Sequence, residues 1–108
     1  MKLMFAIVQT DDAKRLTKAL NRHKIGNTRI SSVGGFLHGG NSTFMIGIDD
    51  DKVEEALDVI KQESSTRKEY TVIPSSFPGY SDSISTPVQI TLGGATVFIV
   101  DVESSYKF

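Results

Sequence analysis

The residues with the clearest chemical character lie in a glycine-rich stretch, residues 28–47, which reads TRISSVGGFLHGGNSTFMIG. It holds five of the nine glycines, and Phe36, Leu37 and His38 stand between two glycine pairs. Glycine permits positive φ and close approach of a ligand, and exposed N–H groups in such turns can bind an anion. Phe36 offers a flat face on which a nucleobase can stack. The stretch indicates a small-ligand site, although a strand–loop–strand connection with Phe36 and Leu37 as a core plug accounts for the same residues.

The glycine pattern does not match the common phosphate-binding or catalytic motifs. No Gly-Lys-Ser/Thr closes it, and a predicted strand follows it where a dinucleotide fingerprint requires a helix. The two histidines, His23 and His38, lie in no recognisable motif, and we expect His23 to be partly buried near the end of the first helix. The absence of cysteine excludes disulfides, thiolate zinc sites and cysteine nucleophiles. We therefore expect no catalysis, no metal site and no cofactor.

The length and the net charge of the chain limit the classes of protein to which it can belong. The 108 residues fit a single domain, 1–108, with one modest core. Twelve basic residues stand against 13 acidic ones, so no net charge favours binding to a nucleic acid polymer. The apolar residues 1–8 are too few for a signal peptide, and no apolar run approaches the roughly 20 residues that span a bilayer. These features predict a cytoplasmic protein without membrane insertion.

The spacing of apolar residues predicts the order of secondary structure elements. Alternation or a continuous apolar run indicates strands, and a three-to-four-residue period indicates helices. In chain order the predicted elements are a strand over residues 2–9, a helix with Ala13, Leu16 and Leu20 on its apolar face, strands over 28–33 and 43–48, a second helix with Val53, Ala56, Leu57 and Ile60 on its apolar face, and strands over 70–73, 87–92 and 95–102.

Polar residues and glycines predict where the helices begin and end. Asp11 or Asp12 is expected to cap the first helix, and the aspartates at 49–51 to cap the second. Gly26 and Asn27 are expected to end the first helix in the left-handed conformation.

This order predicts an α+β fold, a ferredoxin-like βαββαβ sandwich with an extra hairpin and a long flexible loop over about residues 74–87. Two helices would cover one face of the sheet. We expect Phe44, Ile46 or Phe98 to help line the other, open face. An uncovered apolar face commonly packs against another subunit, so the sequence predicts an oligomer.

Three motifs resemble one known family over essentially the full length of the chain. They are MKL..AIVQ at residues 1–9, GGFL followed by GN.TF..G within residues 34–47, and GGATVF at residues 93–98. The chain resembles the PII-like cyclic di-AMP receptors, nitrogen regulatory PII-like signal-transduction proteins of Gram-positive bacteria. The resemblance implies a PII-like homotrimer with one cyclic dinucleotide in each inter-subunit cleft. It also implies ligand-responsive loops, relay of the signal to a protein partner, and no catalysis.

The resemblance also implies which residues contact the nucleotide. The base would be stacked and enclosed at Gly35, Phe36 and Leu37, with polar contacts from Thr28 and Asn41. The remaining positions that match the family's pocket are Gly47, Phe98 and, where relatives have a penultimate glutamine, Lys107.

Three positions depart from the family pattern. Lys24 and Gly26 stand where family members carry Asn and Arg, and Lys107 replaces the glutamine. We expect Lys24, Arg29 or Lys107 to supply the missing cation. Two other readings stay open: a trimeric protein-interaction module that has lost or changed its nucleotide, and a small-ligand or metal-ion protein on the trimeric scaffold of copper-tolerance proteins, which the lack of cysteine disfavours.

Overall fold

Six strands and two helices make up the part of the chain that the structure, a computed structural model, describes: residues 1–32, 40–73 and 86–108. In chain order they are β1 (Lys2–Gln9), α1 (Thr10–Arg22), β2 (Thr28–Ser32), β3 (Asn41–Ile48), a 3₁₀ turn (Asp50–Lys52), α2 (Val53–Ser64), β4 (Arg67–Ile73), β5 (Thr86–Leu92) and β6 (Ala95–Asp101). The predicted loop over 74–87 therefore gives way to β5 at Thr86, and its residues 74–85 lie outside the described residues.

The main sheet has the strand order β2-β3-β1-β6, and all its pairs are antiparallel. β4 and β5 form a separate antiparallel hairpin inserted before β6. The prediction of a mixed α+β fold with an antiparallel sheet and two helices is confirmed, and the strand order is consistent with the ferredoxin-like arrangement. Within the described residues, no helix is long and apolar enough to cross a membrane.

The core lies between the main sheet and the two helices. Alternate residues of β1 and β3 point into it, as the two-residue period of a strand requires. The helices contribute their predicted faces, together with Ala19 and Val59, which the prediction omitted. The buried apolar side chains of this core cluster are Met4, Ala6, Val8, Ala13, Leu16, Ala19, Leu20, Ile25, Phe44, Ile46, Ile48, Ala56, Val59 and Ile60. Each of the larger ones contributes about 1.5–3 kcal/mol through burial.

Phe44 and Ile46 do not line the open face, so that expectation was wrong. The register pairs Phe44 with Ala6 and Ile46 with Met4, and directly paired residues share a face of the sheet. All four are fully buried beneath the helices. Of the three residues expected on the open face, Phe98 alone lies there, with 47% of its surface exposed.

The helix ends also differ from the predictions. α1 begins at Thr10, its N-cap residue is Gln9, and no side chain in the described part of the chain caps it. The 3₁₀ turn that precedes α2 has Asp49 as its N-cap residue, and among the described residues no side chain forms a capping hydrogen bond there. At the other end of α1 the left-handed residue is Lys24, with φ 57°, and not Gly26.

Asp12, a predicted cap, is instead a buried ion-pair partner. Its carboxylate accepts hydrogen bonds from both terminal nitrogens of Arg67, at 2.8 and 3.3 Å, and one from Arg15 at 2.8 Å. Because Arg67 is the first residue of β4, this pair fixes the base of the hairpin to the start of α1. The same hydrogen bonds raise the pKa of Arg67 above its ordinary value, which keeps the guanidinium charged.

Candidate functional site

The face of the sheet turned away from the helices carries several of the predicted site residues. Thr28 pairs with Met45, Met45 with Phe5, and Phe5 with Phe98. Since directly paired residues share a face, these four side chains form one row across all four strands. We call it the Thr28–Phe98 row. Neighbouring strands are about 4.8 Å apart, so the two ends of the row are separated by roughly 14 Å.

Gly47 lies on the same face as Thr28, because it is two residues beyond Met45 in β3. A Cβ built on Gly47 would meet no atom of the described residues within 4 Å. Gly47 has no φ in the left-handed region, so its backbone could carry other residues. The missing side chain leaves the backbone accessible beside Thr28.

Asn41 lies at the opposite end of the β2–β3 pair. It is the first residue of β3, is 6% exposed, and pairs with Ser32 and Gln9. Met45 lies four residues farther along β3, so the distance between the two residues is about 13 Å. A ligand that touched both Thr28 and Asn41 would therefore extend along most of the β2–β3 ladder.

Residues at the start of α1 form hydrogen bonds both with Gly40, which precedes Asn41, and with the base of the hairpin. Thr10 donates its backbone N–H to the carbonyl oxygen of Gly40 at 3.1 Å, and Gly40 has a φ of 95°. One residue earlier, the side-chain oxygen of Gln9 accepts the N–H of Gly93 at 2.7 Å. The segment 9–12 thus contacts both Gly40, within the glycine-rich stretch, and the base of the hairpin.

The chain after β6 leaves the sheet at the end that carries Gly47, because Val100 and Gly47 both pair with Leu3. Val102 donates its N–H to the carbonyl oxygen of Met1 at 3.2 Å, which holds the start of this tail. Farther out, Lys107 is exposed, and the rings of Tyr106 and Phe108 stack with centroids 6.4 Å apart.

The three residues expected to enclose the base, Gly35, Phe36 and Leu37, lie outside the described residues, as does His38. The structure therefore brings together Thr28 and Gly47, places Asn41 farther along the same face, and puts Phe98 at the far edge. Arg29, one of the expected compensating cations, points to the opposite face, where its Nε donates to the hydroxyl of Ser42 at 3.3 Å.

A hollow of about 170 Å³ lies beside Gly47, at the end of the β2–β3 pair. We call it the lysine hollow; its lining residues are Lys24, Ile25, Gly26, Gly47, Ile48, Asp49 and Lys52. Sequence reasoning had singled out Lys24, Gly26 and Gly47 but had missed Lys52. No local motif marks Lys52, since only the turn after β3 brings it next to residues 24–26.

A larger groove of about 380 Å³ lies between α2 and β6. Its lining includes Leu57 and Val97, which pack against the core. The groove is therefore on the helix side of the sheet, away from Thr28 and Gly47, and its greater volume does not make it the better candidate.

His23, expected to be partly buried, is exposed, and its Nδ1 lies 3.0 Å from Oε1 of Glu55 on the surface of the helices. No group of three or more His, Asp or Glu side chains within the described ranges could hold a metal ion. Open space beside glycines, a threonine and two lysines is instead suited to binding a polar ligand.

Two comparisons place this chain among known proteins. In the first, the model of a family described as cyclic-di-AMP receptor matches residues 1–108. In the second, a crystal structure of a functionally unknown protein from Pediococcus pentosaceus is similar, with 38% sequence identity and a TM-score of 0.80. That similarity covers 99% of this chain and 96% of the other. A family match over every residue identifies the family, and the chain belongs to the cyclic-di-AMP receptors.

Proposed function

We propose that this protein is a PII-like signal-transduction protein that binds cyclic di-AMP without chemical conversion, in clefts between the subunits of a homotrimer. Membership of a receptor family supports a cyclic dinucleotide as the ligand. The observation that supports the inter-subunit arrangement is the Thr28–Phe98 row, because two residues predicted to contact the ligand lie at opposite edges of one sheet.

The open face also supports association of subunits. It exposes Met45 by 37%, Ile30 by 45%, Phe98 by 47% and Val100 by 46%. Such apolar area is ordinarily covered in the working assembly. Because β2 and β6 are the two edge strands, a head-to-tail contact can bring the β2 edge of one subunit to the β6 edge of the next. Three such contacts close a ring.

In this arrangement different residues contact different parts of the ligand. Phe36 stacks on a base, a contact worth about 1–3 kcal/mol, and Gly35 and Leu37 enclose it. Thr28 and Asn41 provide polar groups for the base edge or the phosphates. At the facing edge, Phe98 of the next subunit forms an apolar wall. Gly47 leaves room for the ligand, and Lys107 contributes a positive charge.

Relay of the signal to a protein partner would use the contacts of segment 9–12. Thr10 is hydrogen-bonded to Gly40 within the glycine-rich stretch, while Gln9 and Asp12 are hydrogen-bonded to Gly93 and Arg67 at the base of the hairpin. A ligand that shifts the glycine-rich stretch would therefore act on the hairpin through one short segment.

Calorimetric titration with cyclic di-AMP, with cyclic di-GMP and AMP as comparison ligands, tests the proposal, and light scattering tests the trimer. We expect a trimer that binds cyclic di-AMP preferentially, with one site per subunit. Phe36→Ala should weaken binding by about 1–3 kcal/mol and leave the trimer intact. A monomer at micromolar concentration, or normal binding by a destabilised Phe36→Ala protein, would contradict this arrangement.

One observation favours a second candidate, a trimeric interaction module that has lost or changed its nucleotide. Gly26 leaves open space where family members carry Arg, since a Cβ there would meet nothing within 4 Å in the described part of the chain. A true ligand raises the melting temperature by mass action. If no cyclic dinucleotide at millimolar concentration raises it, the second candidate is favoured.

A further inference from the structure

The groove between α2 and β6 is large enough to hold a small molecule. Its volume of about 380 Å³ lies within the range of roughly 300–1,000 Å³ that is usual for small-molecule sites. Leu57, Ile60 and Lys61 of α2 and Ala95 and Val97 of β6 line it, and we call it the α2–β6 groove. It is on the helix side of the sheet, so none of its lining residues belongs to the proposed nucleotide site.

Apolar side chains form the floor of the α2–β6 groove. Leu57 and Ile60 are three residues apart and therefore lie on the same face of α2. Ile60 is 2% exposed, whereas Leu57 and Val97 are partly buried and pack against the core. Val97 and Ala95 pair with buried residues of β1, so both point to the helix side of the sheet. This floor is suited to the apolar part of a ligand.

One end of the groove is polar and carries a single positive charge. Lys61 lies about one helical turn beyond Leu57, and the hydroxyl-bearing Ser65 and Thr66 follow it in the lining. In the lining, within the described part of the chain, Lys61 is the one charged residue. It forms no ion pair with the described residues, whereas the nearby Glu63 is paired with Arg15. A cation without a counter-ion beside an apolar floor is complementary to an anion attached to an apolar body.

Hydrogen bonds fix the two walls of the groove at this polar end. The N–H of Gly94 donates to the carbonyl oxygen of Ser64 at 2.6 Å, which joins the end of α2 to the residue before β6. The N–H of Ser65 donates to the carbonyl oxygen of Lys61 at 3.1 Å. The groove is thus already formed without a ligand, which lowers the entropic cost of binding one.

We propose that the α2–β6 groove binds a small apolar carboxylate, an aliphatic acid, at a site separate from the nucleotide site. The aliphatic part lies on Leu57, Ile60 and Val97, and the carboxylate meets the ammonium group of Lys61 and the hydroxyl of Thr66. Leu57 and Ser65 are eight residues apart, which is about 12 Å along the helix axis. This length suits an acid with a chain of medium length. The proposal does not depend on the proposed function.

Titration of the ¹⁵N-labelled protein with octanoate tests the site. Octanoate should shift the amide signals of Lys61, Thr66 and Val97, with saturation at millimolar concentration. Octylamine has the same chain with the opposite charge, and acetate has the charge without the chain. Neither should give these saturable shifts, because each lacks one of the two features that the groove matches.

Charge variants test the part assigned to Lys61. Lys61→Gln should weaken octanoate binding about three- to tenfold at low salt, because a charge-assisted contact is lost. The difference should shrink at high salt, and Lys61→Arg should bind nearly as the unmodified protein does. The matched control is Lys18→Gln, which removes an exposed lysine of α1 outside the groove and should leave binding unchanged.

Ala95→Trp tests the apolar part, since it places a large side chain in the groove. Ala95 is exposed at the start of the edge strand β6, so the variant should fold and should no longer give the octanoate shifts. Absence of saturable shifts in the unmodified protein, equal binding of octylamine, or unchanged affinity of Lys61→Gln would each overturn the proposal. Loss of self-association by Ala95→Trp in light scattering would show that a second copy fills the groove, which would also overturn it. No measurement here uses a nucleotide, so its failure leaves the proposed function intact.

Discussion

The carboxylate of Asp12 and the guanidinium of Arg67 meet in a two-point ion pair, although 55 residues separate them in the chain. Asp12 is 1% exposed and Arg67 is 34% exposed, so the carboxylate depends on protein donors. The pair joins the first turn of α1 to the first residue of β4. It is therefore the polar anchor of the hairpin that precedes β6.

Replacing Arg67 by Met should lower the free energy of unfolding by about 1–3 kcal/mol, because a buried acceptor loses two of its donors. The remaining bond from Arg15, at 2.8 Å, limits the loss. The matched control is Arg22→Met: its guanidinium is 67% exposed and 4.0 Å from Glu63, so the change should stay within about 0.5 kcal/mol. Urea unfolding of both variants measures the difference. Equal effects would show that the anchor adds nothing beyond a surface ion pair.

Asp12 also shows what the sequence could not reveal. An aspartate three residues after a predicted strand, just before a helical period, favours a cap, and the local pattern gives no sign of an arginine 55 positions away. Both helices and the succession of strands along the chain were predictable, since their apolar periods are regular. The orientation of β3 was not, because apolar residues occur on both its faces, Met45 on one and Phe44 and Ile46 on the other. Pairing with Met4 and Ala6 decides it.

Gly93 and Gly26 should respond in opposite ways to alanine. Gly93 has a φ of 78°, and a Cβ there would lie 2.5 Å from the carbonyl oxygen of Ser65. Gly93→Ala should therefore cost about 1–3 kcal/mol of backbone strain alone. Gly26→Ala meets open space without a left-handed φ and should be neutral or stabilise by about 0.4–1 kcal/mol. Thermal melts of the two variants provide the comparison; a destabilised Gly26→Ala protein would contradict the geometry at residue 26.

The candidate site was predictable only in part. Motif resemblance indicated Thr28, Asn41, Gly47 and Phe98, but no spacing rule says that Thr28 and Phe98 end one row across the sheet. That relationship follows from strand order, which a linear pattern does not contain. Lys52 was missed for the same reason, because a turn brings it beside residues that precede it by more than 20 positions.

Gly26→Arg should tighten binding of cyclic di-AMP by about 1.5–3 kcal/mol, the value of one charge-assisted hydrogen bond, reduced by the side-chain entropy lost on ordering. The backbone tolerates the change, because φ is not left-handed and the space is open. Calorimetry and melting curves on both proteins separate affinity from stability. Tight binding by the unmodified protein with no gain in the variant would show that another cation, Lys24 first, already supplies the anchor.

The Thr28–Phe98 row allows the inter-subunit site to be tested by mixing two defective proteins. Gly47→Trp would obstruct the part of the site on β3, and its side chain would project from an open position. Phe98→Ala would remove the wall on β6, at a cost of about 1–3 kcal/mol in binding if it contacts a base. Each variant alone should bind weakly, while each should still fold and form trimers.

After dissociation and reassembly of an equal mixture, some clefts will combine an intact β3 from one subunit with an intact Phe98 from its neighbour. Random association makes about a quarter of the clefts intact in both parts, so calorimetry should recover that fraction of high-affinity sites. Mixing without dissociation provides the control and should recover none. If the reassembled mixture also recovers none, both residues serve a site within a single subunit, and the trimer contributes no residue to ligand binding. Recovery near a quarter requires that neighbouring subunits share each site, since neither variant chain contains both parts.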